Sequence, residues 1–506
     1  MHADLPAGAP APGESEAPTR GTVARAVSWV TLGHFTSQGL WLVSLLVLAS
    51  LLPPRDFGTL ASAMVLVNLA GLLVDSGTRG SIIATPGLTR ADVRGAIALN
   101  VAVGLAATVL IALLAGPAVG AIADGANVAA VRVLSVGVLL YALGISALAL
   151  LQKRLRLRGF AAANIGAAVV SSIVAVVAGL AGAGVWALVI RQLLSMGLLS
   201  LFAWIAARDL IPPAAAGEGT RRGDRVRVRQ PGWTGFFLLA AADFVVLNAG
   251  FFIVGAFTEA RNLGVYSLAF TLAFAPLTQV SWVVGRVLFP AAAATPELAD
   301  VGRRTMVSVR LMALLLLPFV IPAIALAPLL PELLGPEWKP IVLPFQLLLV
   351  AGVGQALIGV IGESLSGTGN VGWRARVNVV WAAGVVVALI ALVSAEGIRG
   401  AAIAHLAVNV PFAVAYAVMG TRRLAASARR LVEALRGVAV PVAAQAAVTT
   451  AVGLALEAAG ASTVVTALGT AAAALVVVAA LLAVLPSSPL REGVTVLGEA
   501  LGRRPA

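Results

Sequence analysis

The polar side chains of this chain fall at helical spacing inside apolar runs. Thr31, His34, Gln38 and Trp41 recur at steps of three and four, so one helix face carries them. Asn68, Gly71, Asp75 and Arg79 make a second face, with Asp75 and Arg79 four apart and able to pair. Asp243 and Asn248 are five apart and fall on different faces of one segment. Thr271, Thr278, Trp282 and Arg286 form another stripe, with Pro276 expected to kink it. His405, Asn409, Phe412 and Tyr416 share a last face. Such groups offer hydrogen bonds and charge to a polar cargo. They do not spell out a catalytic centre: the chain has no HExxH pair, no nucleophilic Ser elbow and no Walker-type glycine loop. Cysteine is absent and histidine occurs three times, so thiolate chemistry is excluded and neither a metal nor a cofactor is expected. The reading is a non-enzyme.

The elements that hold these groups follow from composition. The chain has 506 residues, 60% hydrophobic and 11% charged, with a mean hydropathy of +0.99. A soluble domain carries about 25% charged residues. This balance argues against a soluble enzyme, a nucleic-acid reader or a secreted scaffold. Apolar stretches of about 20 residues recur along nearly the whole chain, which predicts an all-α polytopic membrane protein. Backbone polar groups in lipid need partners within their own segment, and the alternating pattern of a membrane barrel is missing. About fourteen spans are expected, at roughly 24–51, 57–83, 95–118, 128–151, 160–181, 184–207, 232–256, 262–290, 305–329, 339–366, 373–393, 398–420, 437–458 and 462–485. Prolines crowd 318–344, so the ninth and tenth spans are expected to be kinked or short. Residues 1–23 read as a disordered tail rather than a signal peptide.

The net charge is +13. With the N-terminus in the cytoplasm, the outer side receives Arg55, Arg132, Arg261, Lys339 and Arg399, and nearly all the other basic residues fall inside. That asymmetry predicts a multi-pass membrane protein with both termini cytoplasmic, and the near-exclusive use of Arg over Lys, with abundant Ala, looks like that of a GC-rich bacterial genome. The basic surplus is then topological: membrane lipid is an expected partner and nucleic acid is not. Arg191, Arg310 and Glu363 lie inside spans near their ends, where snorkelling or pairing is expected.

A weak internal repeat runs at an offset of roughly 210 residues. Arg55-Asp56-Phe57-Gly58-Thr59-Leu60-Ala61 opens the second span, and Arg261-Asn262-Leu263-Gly264-Val265-Tyr266-Ser267-Leu268-Ala269 opens the eighth. Gly116-Pro117 matches Ala327-Pro328, and Asn164 with Gly184 matches Asn378 with Gly397. Six spans per repeat is even, so the halves are parallel, related by an axis along the membrane normal, as in two-lobed transporters. The expected layout is a first six-helix lobe at 24–207, a basic cytoplasmic linker at 208–231, a second six-helix lobe at 232–424, two further helices in 425–485 and a cytoplasmic tail at 486–506. The candidates for a central substrate cavity are His34, Gln38, Asn68, Asp75, Arg79, Asp243, Asn248, Thr271, Trp282, Arg286, His405 and Asn409.

Several runs resemble bacterial polysaccharide- and lipopolysaccharide-precursor flippases, the oligosaccharide flippase family of the multidrug/oligosaccharidyl-lipid/polysaccharide exporter superfamily. They are Leu51-Leu52-Pro53-Pro54-Arg55-Asp56-Phe57-Gly58 with Asp75-Ser76-Gly77, Leu150-Leu151-Gln152-Lys153-Arg154-Leu155-Arg156-Leu157-Arg158, and Gly184-Val185-Trp186-Ala187-Leu188-Val189. The second half adds Leu263-Gly264-Val265-Tyr266-Ser267-Leu268-Ala269 and Arg286-Val287-Leu288-Phe289-Pro290-Ala291. The resemblance covers roughly residues 24 to 424. It implies two lobes of six helices, and alternating-access flipping of a polyprenyl-phosphate-linked oligosaccharide for cell-surface polysaccharide export. It also implies a cavity lined by helices one, two, seven and eight, and a lipid-tail groove at helices thirteen and fourteen. A polysaccharide polymerase and glycosyltransferases are the implied protein partners. The chain departs from the family pattern where Asn248 is followed by Ala249-Gly250, where Ala256 follows Gly255, and where Thr271 replaces a frequent Arg. Those departures imply a cavity with fewer cations. The alternatives are an ion-coupled small-molecule exporter of the same superfamily and a non-transporting scaffold in envelope assembly.

Overall fold

Apolar sequence without internal charge leaves the backbone only itself as a hydrogen-bond partner, and the chain answers with helices. The computed structural model describes residues 20–75, 78–85, 88–122, 124–154, 156–211 and 233–484. In order these form α1 (Arg20–Leu51), α2 (Pro54–Asp75), α3 (Thr78–Ala84), α4 (Arg90–Ile122), α5 (Val128–Lys153), α6 (Leu157–Leu180) and α7 (Val185–Ala207). Then come α8 (Trp233–Phe257), α9 (Ala260–Ala294), α10 (Leu298–Leu326), α11 (Leu330–Leu334), α12 (Val342–Gly367), α13 (Val371–Arg423), α14 (Ala428–Ala458) and α15 (Thr463–Val484). Tight 3-10 turns at Ala327–Leu329 and Pro336–Ile341 flank α11. The expected N-terminal tail up to residue 19, the expected C-terminal tail and most of the expected linker lie outside the described residues, and residues 20–23, expected in the tail, belong to α1.

Among the described residues, twelve helices are long and apolar enough to cross a membrane. The longest, α13, is two helices meeting at Gly397, whose φ of 59° and ψ of −132° are not helical. Divided there, α13 brings the spans to thirteen, and α15, 22 residues long and apolar over Thr463–Ala474, stands at the place of the fourteenth expected span. Within the expected second span, 57–83, the described residues form α2 up to Asp75 and α3 from Thr78; Ser76-Gly77 lies outside the described residues.

The proline-rich region breaks, as expected, into short pieces between α10 and α12, while α10 itself runs for 29 residues through Pro318 and Pro322. Pro322 has no N–H for the Pro318 carbonyl one turn back. Gln445 of α14, itself buried, donates to that carbonyl at 2.7 Å. A borrowed donor thus lets the helix continue, and it docks α14 on α10.

The first lobe is α1, α2 and α4–α7. α6 packs against α1 and α7, and α5 against α2, α4 and α7. The second lobe is α8–α10, α12 and α13, with α12 packed on α9 and α13, and α13 on α8. α14 and α15 pack on each other and on α10. The lobes meet chiefly where α2 packs on α9, the two helices that open the repeat. Gly58 and Gly264 make this possible, reciprocally. A Cβ on Gly58 would collide with the Ala260 carbonyl, and one on Gly264 with the Pro54 carbonyl. The α4–α5 loop clasps the same end: Arg55 Nε donates to the Gly125 carbonyl at 2.6 Å, and the Ala260 N–H donates to the Asp124 carbonyl at 3.0 Å. Phe57 meets the buried Trp338 edge-on at 5.2 Å. Gly184 (φ 57°, ψ −135°) and Gly397 (φ 59°, ψ −132°) occupy equivalent repeat positions with the same backbone conformation, one that disfavours a side chain.

Candidate functional site

Just inside the α2–α9 seal lies a cavity of ≈ 190 Å³ between the lobes. Its polar lining is Asn68 from α2, Arg191 and Gln192 from α7, Asn248 from α8, and Ser267 and Thr271 from α9, with Trp41 of α1 beside them. Asn68 Nδ2 reaches Asn248 Oδ1 across the lobes at 3.5 Å. Asn248 also donates to the Phe244 carbonyl of its own helix at 2.9 Å. His34, two turns before Trp41 on α1, hydrogen-bonds Gln279 of α9, a second polar link between lobes. Gln38 lies half-buried between His34 and Trp41. Of the expected stripes, Trp41 of α1, Asn68 of α2, Asn248 of α8 and Thr271 of α9 line this cavity, and His34 and Gln38 do not.

Of the snorkelling or pairing expected of Arg191, the structure shows no snorkelling: the side chain is 3% exposed. Its Nη2 donates to the Trp41 carbonyl at 3.1 Å, and the guanidinium lies over the Trp41 ring, 5.0 Å from the centroid. The cavity therefore does hold a cation, contributed by the first lobe. Its signal in the sequence is a charge within an apolar run, one to two turns from the start of α7.

A larger cavity of ≈ 640 Å³ sits within the second lobe, among α8, α9, α12 and α13. Asp243 lines it, so this candidate is not part of the interlobe lining. Asn378 Nδ2 donates to Asp243 Oδ1 at 2.8 Å. Arg374, on the same cavity wall, ion-pairs Glu363 at 3.1 Å and donates to Ser366 Oγ at 2.8 Å. The pairing expected of Glu363 is present. Thr278 faces this cavity while Thr271 faces the other, so the α9 stripe divides between them.

Two further candidates are corrected. His405 is fully buried in the second lobe and bonds the Tyr266 hydroxyl at 2.9 Å. Asn409 Oδ1 accepts from Trp381 Nε1 at 2.9 Å. Neither lines the interlobe cavity. Their polar face turns away from lipid toward neighbouring helices of their own lobe, which a helical stripe alone does not distinguish from cavity lining. Arg79, on α3, bonds Gln152 of α5 at 3.3 Å. The side chains of Asp75, Trp282 and Arg286 lie outside the described residues. Sequence reasoning missed Gln192, Gln279 and Gln355, because uncharged amides in apolar runs read as ordinary helix-to-helix contacts.

Comparison with known proteins agrees with this arrangement. A relative in Rhizobium meliloti (strain 1021), succinoglycan biosynthesis transport protein ExoT, is 25% identical over 63% of this chain and 63% of its own length, so the match spans under two thirds of that relative. The Escherichia coli (strain K12) lipopolysaccharide biosynthesis protein WzxC is 24% identical over 69% of this chain and 71% of its own. The fold is similar to that of the lipid II flippase MurJ in an inward closed conformation, with a TM-score of 0.68 at 9% identity, over 88% of this chain and 97% of that one. It is also similar to an inward-facing multidrug resistance MATE family transporter, with a TM-score of 0.50 at 18% identity, over 82% and 96%. The model of the polysaccharide biosynthesis protein family matches residues 47–343, more than half the chain. Two helical lobes joined at one end over a polar interlobe cavity, in a multi-pass membrane chain of this descent, make it a member of the polysaccharide biosynthesis protein family.

Proposed function

We propose that the protein flips a polyprenyl-phosphate-linked oligosaccharide across the bacterial cytoplasmic membrane by alternating access. The observation that carries the reading is the polar cavity held between the lobes and closed at one end by the Gly58–Gly264 contact. A glycan head cannot cross hydrocarbon unaided, because each unpaired hydroxyl would lose its hydrogen bonds to water. Asn68, Gln192, Asn248 and Thr271 offer replacement partners while the polyprenyl tail stays in lipid. The sealed end faces outward and the far ends of α2 and α9 face the cytoplasm. Rocking the lobes breaks the glycine contact and closes the opposite end. α14 and α15, beside α10, provide a surface for the tail. The linker and both termini are cytoplasmic, and the lobes span 24–207 and 232–424.

Arg79 and Arg286 come from equivalent ends of the two lobes and receive the carrier's phosphate at the cytoplasmic mouth. An Arg makes two parallel hydrogen bonds to a phosphate where Lys presents a point charge. The test is translocation of a fluorescent polyprenyl-pyrophosphate oligosaccharide in proteoliposomes. Transport above protein-free vesicles is expected, falling by about one to two decades in apparent affinity for Arg286→Ala and in part for Arg286→Lys. No transport by the wild type overturns the reading, and unchanged transport by Arg286→Ala removes Arg286 from it. A cysteine placed in 208–231 of this cysteine-free chain should resist impermeant maleimide from outside intact cells; labelling there overturns the orientation.

A further inference from the structure

We infer that Arg191 forms an anion subsite at the deep end of the interlobe cavity, built for an acidic group carried on the glycan itself. The inference rests on the flippase reading and narrows its substrate to acidic oligosaccharides.

A guanidinium has five N–H donors. The structure accounts for one of Arg191's, the bond from Nη2 to the Trp41 carbonyl. Its Nε is buried without a hydrogen-bond partner. Among the described residues no carboxylate lies within ion-pair distance of it. The Trp41 face offsets part of the buried charge. A full counter-charge is missing on a side chain that lines a cavity. Buried charges are ordinarily paired, and a cation left unpaired beside an open space is what a ligand anion would complete.

Depth decides which anion. Phe57, Leu60, Ala61 and Leu268 line the same cavity and flank the Gly58–Gly264 seal, so Arg191 stands near the closed end. A carrier phosphate is tied to a tail that must remain in lipid, which keeps it near the open rim. Along α9, Thr271 of this cavity is separated from Arg286 by about 15 residues, or roughly 22 Å at 1.5 Å per residue. One pyrophosphate cannot span both places. The sugars lead into the cavity ahead of the phosphate, so the group that meets Arg191 belongs to a sugar. A uronate carboxylate fits the charge, and the amides of Asn68, Gln192 and Asn248 fit the hydroxyls around it.

The experiment measures binding to the full chain in nanodiscs with three probes: a polyprenyl-pyrophosphate disaccharide ending in glucuronate, the same ending in glucose, and polyprenyl pyrophosphate without sugar. The wild type is expected to prefer glucuronate over glucose by about tenfold. Arg191→Gln should level the two while leaving the sugar-free probe unchanged, and Arg191→Lys should keep part of the preference. A wild type without preference overturns the subsite, and that arm needs no variant to fold. So does a preference that survives Arg191→Gln. Equal weakening of the sugar-free probe by Arg191→Gln also overturns it, by assigning the residue to the carrier phosphate. Translocation of the same probes is read separately: a binding preference without transport in proteoliposomes sinks the flippase reading and leaves the subsite standing.

Discussion

Arg374 and Arg191 are both buried guanidiniums, one in each lobe, and their surroundings are opposite. Arg374 ends on a carboxylate and a hydroxyl of α12, Glu363 and Ser366. Arg191 ends on a carbonyl and an aromatic face, with Nε unpartnered. The first arrangement closes on itself within one lobe and holds α12 to α13. The second is incomplete and opens onto the space between lobes. Burial alone therefore says little about a charged residue's role. Whether its hydrogen bonds and charge are already answered says more.

The largest expected effect comes from breaking the closed arrangement. Arg374→Ala should lower stability by about 3 kcal/mol, because Glu363 loses its partner; the partial exposure of Glu363, 32%, keeps the loss toward the lower end. Unfolding in detergent would read it, and adding Glu363→Gln should recover part. Arg191→Gln should cost about 1 kcal/mol or less in the same assay, since it removes a charge that had no carboxylate to lose. Equal losses for the two would erase the contrast.

Next come the glycines on which the lobes touch. Gly58→Ala and Gly264→Ala should each cost the sealed state about 1–3 kcal/mol, since the added methyl meets backbone. In the cysteine-free background, a cysteine at the buried Ala61 should become reactive to impermeant maleimide in both variants. A response from one glycine alone would show that the lobes do not share the seal evenly.

A smaller effect tests the same rule on a neutral group. Gln445→Leu should cost about 1 kcal/mol by stripping the donor from the Pro318 carbonyl. In a Pro322→Ala background the helix supplies its own N–H, and Gln445→Leu should then cost measurably less.

The smallest effect belongs to the solvent-exposed Arg156–Asp209 pair at 2.6 Å. The hydrogen bond from Arg156 holds the Asp209 carboxyl below its usual 3.8. A depressed carboxylate stabilises above its unfolded value and loses that contribution as pH falls through the lower folded value. Asp209→Asn should therefore shift the unfolding midpoint slightly at neutral pH, and the difference should vanish in acid below that range. Exposure and salt screening keep it small.

Spans and repeat were legible because hydropathy and spacing are local properties. The stripes on α1, α2 and α9 were read as cavity lining, and Asn68 and Thr271 do line it. The stripe with His405 and Asn409 looked the same and packs inside its lobe instead. A polar face excludes lipid as its neighbour, and it does not name the neighbour.

By itself, then, the sequence determined that the chain is a many-helix membrane protein without thiol chemistry, built from two related halves, because length, apolarity and spacing act within each segment. Tertiary structure alone decided that Gly58 and Gly264 interlock, that Asp243 belongs to the second lobe's own cavity, and that Arg191 stands unanswered in the wall between lobes. Those outcomes depend on which distant helices come within hydrogen-bond reach. That is set by packing shape and by missing side-chain atoms at glycine, and no single segment encodes it.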